Sequence, residues 1–168
     1  MTNTASKHIP TIVYVEDNEG DSILLQEALR ERGHETQLLV IEKGDQALHY
    51  FTVKAEARDL PPPHCILLDK YLPEVTGTEL LRFIRSAKVY DGTPVYIFSS
   101  NKDYTEISKV LAVSKESFLA KPTIWDQFLD LADLLMESAE DKLLKVPVQD
   151  TESIPEVTAK DSLRAHKY

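Results

Sequence analysis

The sequence predicts an α/β protein: a five-stranded, doubly wound parallel sheet followed by a C-terminal extension. Short apolar runs alternate five times with longer segments whose apolar residues recur at helical spacing. The third run, residues 65–68, is apolar throughout, which is typical of a parallel strand that is covered on both faces. Strict alternation of strands and helices favours parallel strands whose connecting helices pack on both sides of one sheet.

Strands are expected at residues 11–17, 36–41, 65–68, 95–98 and 117–120. Several of the helices between them have recognisable start or stop signals. The first helix ends at Gly33, because glycine commonly terminates helices. Thr76 and Glu79 have the spacing of a capping box, which predicts the start of the third helix. Thr123 is expected to cap the last helix.

The helices are also predicted from apolar residues that fall on one face. The second helix is expected at residues 44–51, and a weaker fourth helix is expected to run through Ile107, Val110 and Leu111. The side chains expected to face the core in the clearer helices are Ile23, Leu24, Ala28, Leu29, Ala47, Leu48, Phe51, Leu80, Leu81, Ile84, Trp125, Phe128, Leu129, Ala132, Leu135 and Met136.

Length and composition exclude several classes of protein. The chain has 168 residues, about one domain, and a net charge of −9 without any basic stripe, so a nucleic-acid partner is not expected. Cys65 is the only cysteine, which excludes an intramolecular disulfide and a zinc site built on cysteines. No signal peptide is evident, and no stretch approaches the ~20 apolar residues of a membrane helix. We expect a cytoplasmic protein without a membrane partner.

The composition changes near residue 140, which divides the chain into two predicted parts. Residues 8–139 form the domain that contains the sheet. Residues 140–168 are polar, with separated prolines and few apolar residues. Leu143 and Leu144 are expected to extend the last helix by a turn or two. The remainder is predicted to be a tail that is disordered alone or ordered by a partner, such as a second copy in a dimer.

Reactive side chains follow four of the five predicted strands. Glu16 and Asp17 end the first strand, Asp69 the third, Ser99 the fourth and Lys121 the fifth. In open α/β sheets the chemistry gathers at the carboxyl ends of the strands. With the first and third strands adjacent, the three carboxylates converge and repel one another unless a cation lies among them. Hard oxygen ligands of this kind suit Mg²⁺.

An acidic cluster with Mg²⁺, a lysine and a hydroxyl has the components of a phosphoryl-transfer site. In this interpretation Asp69 is the nucleophile and forms an aspartyl phosphate. Lys121 and the metal neutralise charge on the transferred group. Each residue alone has a simpler explanation: Asp69 as a turn residue, Glu16 and Asp17 as solvated acids, Lys121 as a surface lysine. Their occurrence together at strand ends favours the functional interpretation.

At this point the chain resembles a known family. Residues 8–137 are similar to the receiver domain of two-component response regulators, which has a flavodoxin-like (βα)5 fold. Four motifs support the resemblance, each at a predicted strand end: the pair Glu16-Asp17, D-x-x-L-P-x-x-x-G from Asp69 to Gly77, Ser99 thirty positions after Asp69, and F-x-x-K-P from Phe118 to Pro122.

The resemblance implies an acceptor and a set of metal ligands. Asp69 corresponds to the phosphoacceptor, which receives its phosphoryl group from a sensor histidine kinase. Asp17 is expected to bind Mg²⁺ directly and Glu16 through a water molecule. The backbone carbonyl of Tyr71 is expected to be the third protein ligand.

The resemblance also implies the residues that respond to phosphorylation. Ser99 takes the place of the switch hydroxyl that moves to the phosphoryl group, and Ser100 takes the place of a small residue beside it. Phe118 matches the aromatic residue whose rotamer follows that movement. Lys121 is expected to be aimed into the site by a cis peptide bond to Pro122, as is usual in this family.

The opening stretch V-E-D-N-E-G-D, residues 15–21, and the lack of any output segment are similar to the single-domain regulators of bacterial phytochromes. The implied partner is therefore a sensor histidine kinase of the bacteriophytochrome type. Such regulators are often dimers that pair through the last helix and the chain end. The residues considered for this interface are Phe128, Leu131, Leu134 and Leu135.

The function expected is a phosphorylation-dependent interaction module rather than an enzyme with an external substrate. An aspartate-nucleophile phosphatase or mutase would need a second Asp two residues after the nucleophile, where this chain has Tyr71. A flavodoxin-type cofactor module would need a phosphate-binding loop after the first strand, where this chain has acids. A receiver that acts as a docking scaffold without phosphorylation remains an alternative.

Overall fold

Five parallel strands form a single sheet in the order β2-β1-β3-β4-β5, which confirms the predicted fold class. The structure, a computed structural model, describes residues 8–99, 101–111 and 113–145, apart from the side chains of residues 101–103, 110 and 111. The strands are β1 (Thr11–Val15), β2 (Gln37–Ile41), β3 (Cys65–Asp69), β4 (Val95–Phe98) and β5 (Phe118–Leu119).

Five α-helices in the described part of the chain connect or follow the strands, as the sequence predicts. They are α1 (Glu19–Glu31), α2 (Gly44–Glu56), α3 (Gly77–Ser86), α4 (Asn101–Leu111) and α5 (Trp125–Lys145). Helix α2 continues past the predicted end at residue 51. Helix α5 includes Leu143 and Leu144, which confirms the predicted extension, and it crosses the predicted domain boundary without a break. The predicted tail from residue 146 onward lies outside the described residues.

Two apolar layers cover the sheet, one on each face. Consecutive residues of β1 and β3 alternate between the layers, because side chains of a strand point to opposite faces. Val13, Val15, Ile66 and Leu68 pack with α2, α3 and α4, whereas Ile12, Tyr14, Cys65 and Leu67 pack with α1 and α5. Cys65 is therefore a core residue, and burial raises the pKa of its thiol to about 12.

The prediction for the inner face of α1 is wrong at two positions. Ile23 and Leu24 are 48% and 39% exposed, whereas Leu25, Ala28 and Leu29 are buried against α5. The apolar run at residues 23–25 is compatible with two helical stripes. The stripe that begins at Leu25 continues at i+3 and i+4 with Ala28 and Leu29, so all three side chains face the apolar layer shared with α5.

The capping box at the start of α3 is confirmed. The Thr76 N–H donates to Glu79 Oε2 at 2.8 Å, and the Glu79 N–H donates to Thr76 Oγ1 at 3.3 Å. Two backbone donors that the helix leaves unpaired are thereby satisfied.

This cap should make stability depend on pH in the acid range. Hydrogen bonds from the Thr76 backbone and side chain lower the pKa of Glu79 below its ordinary value of 4.5. A group with a lowered folded-state pKa contributes stability above its unfolded pKa and loses it as the pH falls through the folded one. Glu79→Gln should therefore flatten the acid limb of stability against pH, measured by urea unfolding between pH 3 and 6. A limb identical to that of the wild type would contradict this.

Within the described part of the chain, no helix is both long enough and apolar enough to cross a membrane.

Candidate functional site

The carboxyl ends of β1 and β3 bring three acids together. Val15 pairs with Leu68 in the register of the sheet, so the residues that follow them, Glu16 and Asp69, lie at the same level. Carboxylate oxygens of Glu16, Asp17 and Asp69 all lie within 4.8 Å of one another. Asp17 is exposed, whereas the other two are buried. The structure thus places the predicted acids in one crevice.

Glu16 is the most enclosed of these acids, with a fully buried side chain. Its carboxylate accepts hydrogen bonds from the Tyr14 hydroxyl at 2.9 Å and from the Asn18 N–H at 3.0 Å. The Lys121 ammonium lies 2.9 Å from Oε2. Burial raises the pKa of Glu16, and the three hydrogen bonds oppose that rise. Tyr14 is buried and faces this carboxylate, and both effects raise the pKa of its hydroxyl.

Asp69 lies at the lip of the crevice with 7% of its side chain exposed. Its two oxygens have different partners. The Tyr71 N–H donates to Oδ1 at 3.2 Å, and the Lys121 ammonium donates to Oδ2 at 3.2 Å. The carboxylate is therefore fixed in orientation while its outer edge can still be reached from solvent. Such a carboxylate is suited to act as a nucleophile toward an incoming phosphoryl group.

Lys121 follows β5 and links three acidic residues. Its ammonium lies 2.9 Å from Glu16 Oε2, 3.1 Å from Asp21 Oδ2 and 3.2 Å from Asp69 Oδ2. Partial burial lowers the pKa of Lys121, but the hydrogen bonds to Glu16 and Asp21 outweigh it, and the net shift is upward. The ammonium therefore stays charged at neutral pH.

The predicted cis peptide bond between Lys121 and Pro122 is not observed: all peptide bonds in the described ranges are trans. A proline peptide prefers the trans form by about 0.5–1 kcal/mol unless its surroundings reverse that preference. Lys121 reaches the three acids from the trans backbone.

The predicted switch residues flank the site on its β4 and β5 side. The Ser99 hydroxyl is buried and has no hydrogen-bond partner among the described residues, while its N–H donates to the Leu119 carbonyl at 3.0 Å. Phe118 is half-buried, and its ring meets the Tyr104 ring edge-on with the centroids 5.0 Å apart. Ser100 lies outside the described residues. A buried hydroxyl that lacks a partner is suited to donate to a group that arrives later.

The donor set fits a hard divalent cation. Four carboxylates, those of Glu16, Asp17, Asp21 and Asp69, lie in or beside the crevice, and Lys121 supplies one positive charge. Acids this close resist being ionised together unless further positive charge is present. Carboxylate oxygens are the ligands that Mg²⁺ and Mn²⁺ prefer. The carbonyl of Tyr71, a residue that is 73% exposed, remains a predicted ligand.

Sequence reasoning missed two residues: Asp21, which contacts Lys121, and Gly44, which packs against the loop between β3 and α3. Asp21 is absent from the predicted site, although its position in the first turn of α1, after an acidic strand end, could have suggested it. Gly44 begins α2, and a Cβ there would lie 1.9 Å from the Val75 carbonyl oxygen. A side chain at Gly44 would push away the loop between β3 and α3. No local pattern in the sequence indicates that contact.

Gly77, the last residue of the D-x-x-L-P-x-x-x-G motif, lets α3 approach the acceptor. A Cβ at this position would lie 2.1 Å from the Asp69 carbonyl oxygen. We expect Gly77→Ala to lower the free energy of unfolding by about 1–3 kcal/mol, as overpacking does. It should also shift the Asp69 backbone and weaken metal binding. Urea unfolding and Mg²⁺ titration measure the two effects. A Gly77→Ala protein with the stability and Mg²⁺ affinity of the wild type would contradict this close approach.

The residues considered for a dimer interface lie mostly inside the domain. Phe128, Leu131 and Leu135 are buried in the layer between α5, α1 and the sheet, with exposures of 4%, 6% and 0%. Their apolar surface is already covered, so an interface there would require α5 to detach. Leu134 is only half-buried. It is the one residue of the four that is free to contact a partner in this arrangement.

Comparison with known proteins identifies the family. A profile of the response regulator receiver domain matches residues 12–133, a span that includes Glu16, Asp69 and Lys121. The chain belongs to the response regulator receiver domain family. It is therefore a response regulator of the two-component type, with the phosphoacceptor function of that family. Receiver domains bind a divalent metal in an acidic pocket, pair with histidine kinases, and are typically signalling domains rather than enzymes.

Three relatives illustrate the similarity. Response regulator Rcp1 of Synechocystis sp. is 27% identical over 110 residues, which is 66% of this chain and 75% of that protein. The phosphorylated cyanobacterial phytochrome response regulator RcpA has 29% identity and a TM-score of 0.64, covering 77% of this chain and 93% of the other. The Mn²⁺-bound form of Rcp1 has 28% identity and a TM-score of 0.64, covering 76% and 95%. This receiver domain thus resembles a phytochrome response regulator, RcpA, and a response regulator solved with a bound metal, Rcp1.

Proposed function

We propose that Asp69 is the phosphoacceptor of this receiver domain and that a sensor histidine kinase is its donor. The observation that supports this assignment best is the placement of Asp69. Its carboxylate lies at the end of β3 between the Tyr71 N–H and the Lys121 ammonium, within 4.8 Å of two other acids. The site thus combines a nucleophile, a fixed positive charge and candidate metal ligands.

The proposed transfer is a displacement at phosphorus. An Asp69 carboxylate oxygen forms a bond to the phosphorus of a phosphohistidine. The P–N bond breaks, its electron pair returns to the imidazole nitrogen, and that nitrogen takes a proton from solvent. The product is an acyl phosphate on Asp69. Lys121 then donates to a phosphoryl oxygen. The Ser99 hydroxyl, which has no partner among the described residues, supplies a second donor from the β4 side.

Mg²⁺ is the proposed cofactor. Asp17, Asp69 and the Tyr71 carbonyl would hold the ion, with Glu16 acting through water. When bound, the ion supplies positive charge that offsets the charge of the phosphoryl group. The presence of hard oxygen donors on separate strand ends supports this assignment.

Phosphorylation would change the surface around α4 and β5. When the Ser99 side chain turns toward the phosphoryl group, it leaves space behind it, and the Phe118 ring can enter that space. Because the Phe118 ring contacts Tyr104 of α4, its movement alters the packing of that helix. The altered surface is the proposed output, so the domain acts on partners rather than on an external substrate.

The proposed kinase is of the bacteriophytochrome type, which the similarity to RcpA supports. Transfer requires kinase and regulator to share a compartment, which we propose is the cytoplasm.

We also propose a homodimer in which the exposed side of α5, including Leu134, and the predicted extension at residues 140–168 take part. The receiver domain itself is assigned to residues 8–139.

Phosphorylation by a small donor tests the proposal. Incubation with acetyl phosphate and Mg²⁺ should add the mass of one phosphoryl group to the intact protein, and hydroxylamine, which cleaves acyl phosphates, should remove it. Chelation with EDTA should prevent the addition. A folded protein that stays unmodified with acetyl phosphate, phosphoramidate and a phosphorylated bacteriophytochrome would leave only the docking-scaffold function.

A further inference from the structure

The ammonium group of Lys121 has three N–H donors and no acceptor. The structure gives each donor one carboxylate: Glu16, Asp21 and Asp69, at 2.9, 3.1 and 3.2 Å. Glu16 and Asp69 already have functions in the proposed phosphoryl transfer. Asp21, which lies on α1 with 24% of its side chain exposed, has none so far.

Two of these carboxylates, those of Glu16 and Asp21, anchor the ammonium and are linked to each other through Asn18. Asn18 is the N-cap of α1, and its side chain accepts from the Asp21 N–H at 3.1 Å. The Asn18 N–H in turn donates to Glu16 Oε1 at 3.0 Å. The first turn of α1 therefore holds Asp21 and Glu16 at set positions relative to each other, and Lys121 spans the two.

We infer that Asp21 is a positioning residue for Lys121: with Glu16 it holds the ammonium so that the third N–H is directed at Asp69. The inference rests on the proposed function, because it gives Asp21 a part in delivering Lys121 to the acceptor. Lys121 has 37% of its side chain exposed, so water competes for its donors. If one of the two anchoring carboxylates is lost, the long Lys121 side chain can occupy many more rotamers.

An acid in the first turn of a helix also has a simpler use, since it interacts favourably with the helix dipole. Glu19 shares that property with Asp21, being an exposed acid in the first turn of α1. The described ion pairs of Lys121 do not include Glu19. Glu19→Gln is therefore the matched control: it removes a charge from the same turn and leaves the contacts of Lys121 in place.

The first measurement does not depend on phosphorylation. In protein labelled with ¹³C-lysine, relaxation of the Lys121 ε-carbon reports the order of the side chain. We expect a well-ordered ε-carbon in the wild type and in Glu19→Gln, and a clearly lower order parameter in Asp21→Asn. An order parameter that Asp21→Asn leaves unchanged would overturn the inference, whether or not the protein is phosphorylated.

The second measurement asks whether Asp21 acts through Lys121. With saturating acetyl phosphate and Mg²⁺, Asp21→Asn should slow phosphorylation roughly twofold to fivefold, as expected for a partly exposed ion pair. In a Lys121→Met background the same substitution should have no further effect. An equal loss in that background, or an equal loss in Glu19→Gln, would refute the inference. If the wild type itself is not phosphorylated, the proposed function fails. The relaxation measurement alone then tests whether Asp21 orders the Lys121 side chain.

Discussion

Asp69→Asn is expected to abolish phosphorylation by acetyl phosphate completely. An amide cannot form an acyl phosphate, and no second carboxylate of the described site has the same surroundings. Glu16 has no exposed side-chain surface, and Asp17 is not among the described ion partners of Lys121. Asp21 does contact Lys121 but lies outside the cluster of three carboxylates within 4.8 Å of one another. Intact mass measured after incubation with acetyl phosphate and Mg²⁺ gives the result directly. Labelling of Asp69→Asn to the wild-type extent would show that another residue is the acceptor.

The fold of Asp69→Asn should survive, so that loss of labelling can be assigned to chemistry. The substitution removes one charge from a crowded cluster, and Lys121 keeps two of its three carboxylates. We expect the free energy of unfolding to change by no more than about 1 kcal/mol. Asp45→Asn is a suitable control, since Asp45 is an exposed acid in the first turn of α2. It should be labelled as fully as the wild type.

The fold could be predicted because its main signals are local. The four-residue apolar run of β3 is buried at every position, as is Asp69 at its end, which fits a strand covered on both faces. The capping box at Thr76 is likewise a pattern of neighbouring residues. The choice between two helical stripes on α1 was different, because it depends on how α5 lies against the sheet. Ile23 and Leu24 were therefore misplaced, whereas Ala28 and Leu29, which both stripes share, were placed correctly.

The site was predictable to the extent that strand ends determine it. Asp69 ends β3, Glu16 follows β1 and Lys121 follows β5. The order of the sheet brings these strand ends together. Asp21 reaches the same point from a helix, and Gly44 acts through a loop that is distant in sequence. Such contacts arise from packing of separate elements. They are established once the backbone is known, because the sequence indicates Asp21 only by its place after an acidic strand end and offers no local pattern for Gly44.

Lys121→Met is the second substitution for which a large effect is expected. The ammonium is the positive charge fixed nearest to Asp69 Oδ2 among the described contacts. Removal of one preorganised donor to a developing oxyanion typically costs a factor of 10²–10³ in rate. We expect phosphorylation at saturating acetyl phosphate to fall by roughly a hundredfold or more. A time course of intact mass measures this, and a rate equal to that of the wild type would exclude Lys121 from the transfer.

The same substitution should affect stability and metal binding in opposite directions. Glu16 is fully buried and loses its charged partner, so the free energy of unfolding in EDTA should fall by about 1–3 kcal/mol. Mg²⁺ affinity should rise, because the ammonium and the metal draw on the same carboxylates. Added Mg²⁺ should therefore restore more stability to Lys121→Met than to the wild type. Lys115→Met, at an exposed lysine beside β5, should show neither change. If Mg²⁺ bound Lys121→Met more weakly than the wild type, the ammonium and the metal would not share these acids.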